Sequence, residues 1–143
     1  MSNFVVVRFN RIKKLLKREP EITGKMIKSL AFEGRDIVRK SMKDSPPNFE
    51  RVYFKGGKRF NPSLPGNPPR IALGILEQGI QVTKLKDRKY AIVSLAPYSK
   101  DLELGTDNVA PRPFMSPMAM KLAKMSTAFI KANVNYITIK DLR

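Results

Sequence analysis

The 143-residue chain contains no cysteine, no histidine and no tryptophan. Without cysteine there is no disulfide framework and no thiolate ligand, which excludes disulfide-stapled scaffolds and cysteine zinc sites. Without histidine the chain lacks the usual general base at neutral pH and the commonest transition-metal ligand. Acids are scarce, with 12 Asp and Glu against 28 Lys and Arg, and no two fall at a spacing that marks a hard-metal site. A Ser-Lys nucleophile can still be written down, but nothing in the sequence builds a site around one. No apolar run approaches the roughly 18 residues of a membrane helix, and the apolar start Phe4-Val5-Val6-Val7 is broken at Arg8. These absences predict a soluble, unexported protein that is not an enzyme, takes no cofactor or metal and does not enter a membrane.

What is present suits a globular domain: 42% hydrophobic and 28% charged residues, on a chain of the size of one ordinary core. A single domain over residues 1–143 is expected. The formal net charge is +16, and it is uneven, with 16 Lys/Arg against 6 acids in residues 1–60 and 12 against 6 in residues 61–143. Such a surplus predicts an anionic partner without saying whether that is nucleic acid, a membrane or an acidic protein.

Residues 3–9 are β-branched and aromatic and predict a strand; Ile12, Leu15 and Leu16 mark one side of a short helix over 11–18. Pro20, flanked by Glu19 and Glu21, suits the start of a second helix running to about Lys43. Its expected apolar face is Ile22, Met26, Leu30, Ile37, Val38 and Met42, with Lys25, Lys28, Arg35, Arg39 and Lys43 on other faces. That basic side reads either as a solvated surface or as a binding face. Residues 45–70 hold six prolines and three glycines, which no regular helix survives. Within them Arg51-Val52-Tyr53-Phe54 and Arg59-Phe60 flank Lys55-Gly56-Gly57-Lys58, and a Gly-Gly pair between strand-like residues predicts a tight hairpin. The expectation is a projecting β-arm.

Further on, residues 71–76 predict a helical turn, and residues 79–96 predict a hairpin whose first strand alternates apolar with polar residues. A short helix or turn over 98–104 is closed by Gly105. The last helix is expected from about Pro113 to Asn133, with Met118, Leu122, Met125 and Phe129 on its core face. The alternating residues Tyr136-Ile137-Thr138-Ile139 predict an added edge strand. The fold class read from these elements is α+β: a small antiparallel sheet packed by a long N-terminal and a C-terminal helix, with a long Pro/Gly-rich loop or arm.

Two stretches carry a specific pattern. One is Tyr98-Ser99-Lys100-Asp101-Leu102-Glu103-Leu104-Gly105-Thr106, followed by Ala110-Pro111-Arg112-Pro113-Phe114-Met115-Ser116-Pro117-Met118. The other is Ser63-Leu64-Pro65-Gly66-Asn67-Pro68-Pro69-Arg70 with Gly74-Ile75-Leu76 and Gly79-Ile80. Read alone, Gly105 suits a left-handed helix end, Arg112 and Glu103 are placed to neutralise each other across the loop, and Pro113 fits the first turn of a helix. Together the stretches resemble the tailed-phage head-to-tail joining or tail-completion family, the neck and terminator-like minor tail proteins. In that family a tyrosine and a Glu-x-Gly-Thr element precede an Arg-Pro-Phe, here Tyr98, Glu103, Gly105, Thr106, Arg112, Pro113 and Phe114. The order of elements is similar across nearly the whole chain. The 51–60 hairpin has no counterpart, and Leu73 and Gly79 stand where the family usually has Thr and Ser.

The resemblance implies a structural virion subunit, made in the host cytoplasm and located at the head–tail junction. It implies a homo-oligomeric ring, commonly sixfold, in contact with other neck, connector and tail-tube proteins. DNA passes nearby without specific binding. Arg51, Tyr53, Phe54, Lys55, Lys58, Arg59 and Phe60 are expected to meet a protein partner, with the whole 45–70 arm mobile in the free subunit and fixed in the particle by a neighbour. A basic nucleic-acid-binding module is the rival reading, in which the arm aromatics stack on bases and its cations hold phosphates. A small toxin or hydrolase is a third class, and no site for it can be built from these residues.

Overall fold

Pro20 lacks an N–H that the first helical turn could not have bonded anyway, and its fixed φ suits that turn. Helix α1 spans Pro20–Lys43, with Lys40 and Lys43 in the last turn where the dipole favours cations. It stops where Ser45, held out of the α region by the following Pro46, turns the chain away. The structure is a computed structural model that describes residues 6–9, 20–86, 89–125 and 134–135. The expected short helix at 11–18, the end of the last helix beyond 125 and the expected strand at 136–139 lie outside those residues.

Four strands form one antiparallel sheet: β1 (Val6–Phe9), β4 (Ile80–Lys86), β5 (Lys89–Ser94) and β6 (Val134–Asn135), in the order β4-β5-β1-β6. Strands β4 and β5 are the hairpin read from the sequence, in a register that pairs Ile80 with Ser94 and Val82 with Ile92. The alternation keeps Ile80 and Val82 inward and Gln81 and Thr83 in solvent; a register shift between Lys84 and Lys86 ends it and leaves Leu85 exposed. A separate two-stranded sheet is the arm hairpin, β2 (Tyr53–Lys55) and β3 (Lys58–Phe60). The remaining helices are α2 (Ile75–Gly79), α3 (Ser99–Leu104) and α4 (Met115–Met125). The expected turn at 71–76 becomes helical four residues later, because Gly74, at φ 78, sets a turn first.

Helix α1 crosses β4 and β5 and packs along α4. Between them lies the core: Ala31, Val38 and Met42 from α1, Ile80 and Ile92 from the sheet, and Phe114, Met115, Met118, Ala119 and Leu122 from α4. Met115 and Met118 on α4 are thus core filler, whereas Met120 is 58% exposed, and the side chains of Met125 and Phe129 lie outside the described residues. The buried stripe of α1 is Ile27, Ala31, Gly34, Val38 and Met42, which corrects the face read from the sequence. Met26 is 45% exposed, while Leu30 and Ile37 only flank the core. The reason is Gly34. A Cβ there would lie 2.4 Å from Ile92 Cδ1 and 2.7 Å from Leu122 Cδ1, so the small residues, not the large ones, set the closest approach of α1 to sheet and helix. On the opposite face of β5, Ala91 and Val93 form a second buried pair.

Replacing Gly34 by valine is expected to destabilise the protein by about 1–3 kcal/mol through overpacking, despite any gain in helix propensity. Met26→Lys, on the exposed face, is expected to change stability by less than about 0.5 kcal/mol. Urea denaturation of both variants checks the pair, and equal midpoints would contradict the helix rotation described.

Candidate functional site

Helix α4 begins on the buried residues Phe114 and Met115, with Ser116 and Pro117 at the surface, so the first N–H groups need partners that water cannot supply. Glu103 supplies them. One carboxylate oxygen accepts from the amides of Phe114 at 2.8 Å and Met115 at 3.0 Å; the other accepts from the amide of Ser116 at 2.9 Å and its hydroxyl at 2.5 Å. The next residue is Pro117, which has no N–H to satisfy. All four leading positions of α4 are therefore accounted for by one side chain and one proline. Glu103 is only 4% exposed, and the positive end of the helix dipole opposes the cost of burying its charge.

This corrects the ion pair expected between Glu103 and Arg112. Arg112 turns the other way: its Nε and one terminal nitrogen each donate to the carbonyl of Ser63 at 3.3 Å, and the other terminal nitrogen donates to Ala110 O at 3.2 Å. Its own amide donates to Leu102 O at 2.6 Å. Pro113 likewise lies just outside the helix, and Pro117 is the proline of the first turn. Gly105 has the positive φ expected, 76°, but a ψ of 171°, outside the left-handed helical region. A Cβ at that position would come within 2.8 Å of Val109 O and 2.9 Å of Pro111. Thr106 closes the loop by exchanging backbone bonds with Val109, and its hydroxyl accepts from the Asn108 amide at 3.3 Å. Phe114 is 1% exposed and belongs to the core.

The two stretches singled out in the sequence meet in space. Besides the Arg112–Ser63 bonds, the Gly66 amide donates to Pro111 O at 2.9 Å. The arm grows from this junction, and its root is tied by asparagines. Asn48 N donates to Pro62 O at 2.7 Å, Asn61 Nδ2 donates to Asn48 O and Arg51 O at 3.2 and 2.8 Å, and Arg70 donates to Asn61 O at 2.9 Å. Asn48 and Asn61 were not among the residues picked from the sequence. The signal for Asn48 was its side chain two residues before an amide, the Asx turn that bonds Glu50 N at 3.0 Å.

Above the root the hairpin is exposed from Arg51 to Arg59. Gly56 and Gly57, at φ 56 and 74, make the tight turn read from the Gly-Gly pair. Pairing sets Tyr53 opposite Phe60, Phe54 opposite Arg59 and Lys55 opposite Lys58. Strand alternation divides these residues between two faces. Tyr53, Lys55 and Phe60 line a cleft of about 290 Å³ against the body, shared with Arg70, Tyr98 and Arg112. Phe54, 77% exposed, and Arg59 belong to the other face. The hairpin is thus a flap over one side of the protein, with Lys55 Nζ 5.9 Å from the centre of the Tyr98 ring. Burial pushes the Tyr98 phenol above its ordinary value.

Among the described residues no group of three carboxylates gathers as a metal site, and no helix is long and apolar enough to cross a membrane. The buried Ser94 and Ser99 hydroxyls bond each other at 2.5 Å, joining β5 to α3. Comparison with known protein families, curated proteins and solved structures gave no match.

Glu103→Ala is expected to cost about 3 kcal/mol or more, since it leaves buried amides unpaired. In double-mutant cycles Glu103 should couple to Ser116 by about 1 kcal/mol and to Arg112 by less than about 0.5 kcal/mol. Strong coupling to Arg112 would restore the ion pair. Gly105→Ala is expected to lower the thermal midpoint by several degrees, consistent with about 1–3 kcal/mol of backbone strain.

Proposed function

We propose that this chain is a non-enzymatic structural subunit of a tailed-phage particle, one copy of a ring at the head–tail junction. The observation that carries the reading is the unit formed by Tyr98, Glu103, Gly105, Thr106, Arg112, Pro113 and Phe114. These residues resemble the family signature, and their contacts make one folding device that fixes α4 to the sheet and to the arm root. The side chains of Glu103, Thr106 and Arg112 are spent mainly on backbone amides and carbonyls, which suits a protein that works by shape. The α+β arrangement, a small antiparallel sheet with the long helix and the last helix packed together on one face, agrees with the same reading.

A ring requires side-to-side contacts of at least about 1,200 Å² when stable. Six copies at +16 each would carry about +96, and such self-repulsion opposes assembly unless acidic surfaces offset it. A lumen lined with this charge would hold the passing genome through phosphate contacts and slow its release. Arg51, Lys55, Lys58 and Arg59 are accordingly assigned to an acidic protein partner or the outer surface. The nucleic-acid reading draws on the exposed Tyr53 and Phe54 with their cationic neighbours. Their division between opposite faces of the hairpin breaks up the continuous stacking platform that single-strand binding uses.

Detection of the polypeptide in purified virions, together with a multimeric mass in the presence of particle components, is the expected outcome; its absence from virions would overturn the reading. Hydrogen exchange should show the amides at 51–60 exchanging fast in the free subunit and slowly in the particle. Equal exchange in both states would remove the arm from the interface.

A further inference from the structure

The geometry points to the cleft beneath hairpin β2–β3 as the docking site for an acidic protein segment, one bulky apolar side chain of which enters the cleft. Its volume, about 290 Å³, lies at the lower end of ligand pockets and suits a large side chain with part of its backbone. The interior is aliphatic: Met42, Pro69, Ile71, Leu76 and Leu102 line it. At the mouth, Leu73 and Ile75 remain 45% and 54% exposed and Tyr53 51% exposed. Folding leaves this apolar surface to water, next to a flap with only one turn of chain at its tip.

The charge around the cleft selects the partner. Lys55, Arg70 and Arg112 contribute cations, and Glu77, the single carboxylate of the lining among the described residues, is already paired with Lys43 at 3.5 Å. Lys55 also stands directly across the ladder from Lys58, a like-charge pair that destabilises a hairpin by itself and that a neighbouring carboxylate would relieve. The Ser63 hydroxyl, on a lining residue 1% exposed, is buried without a hydrogen-bond partner. An acidic segment with an apolar anchor answers each of these features. A run of nucleobases answers fewer of them: Tyr53, Phe60 and Tyr98 line the cleft beside its aliphatic residues, but Phe54 lies on the other face of the hairpin, so no extended stacking surface runs beyond the cleft.

This inference deepens the joining role by naming the partner's chemistry at the subunit surface, yet the two fail separately: virion content and native mass test the ring, and peptide binding tests the cleft. The probe is a fluorescein-labelled peptide of about ten residues, alternating Asp and Glu around a central Phe, titrated with the full chain at about 150 mM salt. Controls are the same peptide with Ser for Phe and a labelled oligothymidylate of matched charge. The expected result is saturable binding of the Phe peptide, at least about tenfold weaker for the Ser peptide. Leu73→Glu and Lys55→Glu, both at exposed sites, should each weaken it by about tenfold or more with unchanged thermal midpoints. Equal affinity for the Phe and Ser peptides, indifference to Leu73→Glu, tighter binding of the oligothymidylate, or no binding at all would each overturn the proposal.

Discussion

One buried carboxylate holds the second half of this protein in place. A lone charge in a protein interior costs several kcal/mol unless donors surround it, and the start of a buried helix is equally costly unless acceptors reach it. Glu103 and α4 solve both problems together: the amides of Phe114, Met115 and Ser116 and the Ser116 hydroxyl close on the two carboxylate oxygens. Because Glu103 sits on α3, the contact fixes α4 relative to the end of β5, and the core residues Phe114, Met115, Met118 and Leu122 are delivered to α1 and the sheet as a consequence. The tight loop between the helices depends on Gly105, where a side chain would strike Val109 and Pro111.

From that anchor the same loop reaches outward. Pro111 and Arg112 hold the Gly66 and Ser63 backbone, and the asparagine-bonded root carries the hairpin. An arm so tied has a fixed base and a free tip. The helix start at α4 and the arm root have their polar groups bonded within the protein, while the tip and the cleft below it carry exposed aromatic, aliphatic and cationic side chains. The apolar and cationic side chains left exposed are thus gathered on the arm side of the molecule, the surface on which the proposed contacts with other proteins would fall.

The strongly positive charge belongs to the same picture. Its effect on assembly is repulsive, so a ring of identical copies needs acidic neighbours in contact with it. Among the described residues the one acid lining the cleft is already paired with a lysine, so the proposed acidic neighbour would find the cleft's cations unanswered.

The sequence by itself determined the element order: a long helix opened by Pro20, a Gly-Gly hairpin, a second hairpin at 79–96 and a methionine-rich last helix. Each rests on local physics, namely proline's fixed φ, glycine's access to positive φ, strand alternation and helical periodicity. It also singled out Glu103, Arg112 and Gly105, yet paired the first two with each other, because opposite charges nine residues apart say nothing of where backbone amides point. Only the tertiary structure decided that Glu103 faces the α4 amides, that Arg112 faces Ser63, that Gly34 rather than Met26 faces the core, and that the arm folds over a cleft. Those outcomes depend on which groups meet at close range across the chain, and distances between remote residues are not written in any local pattern.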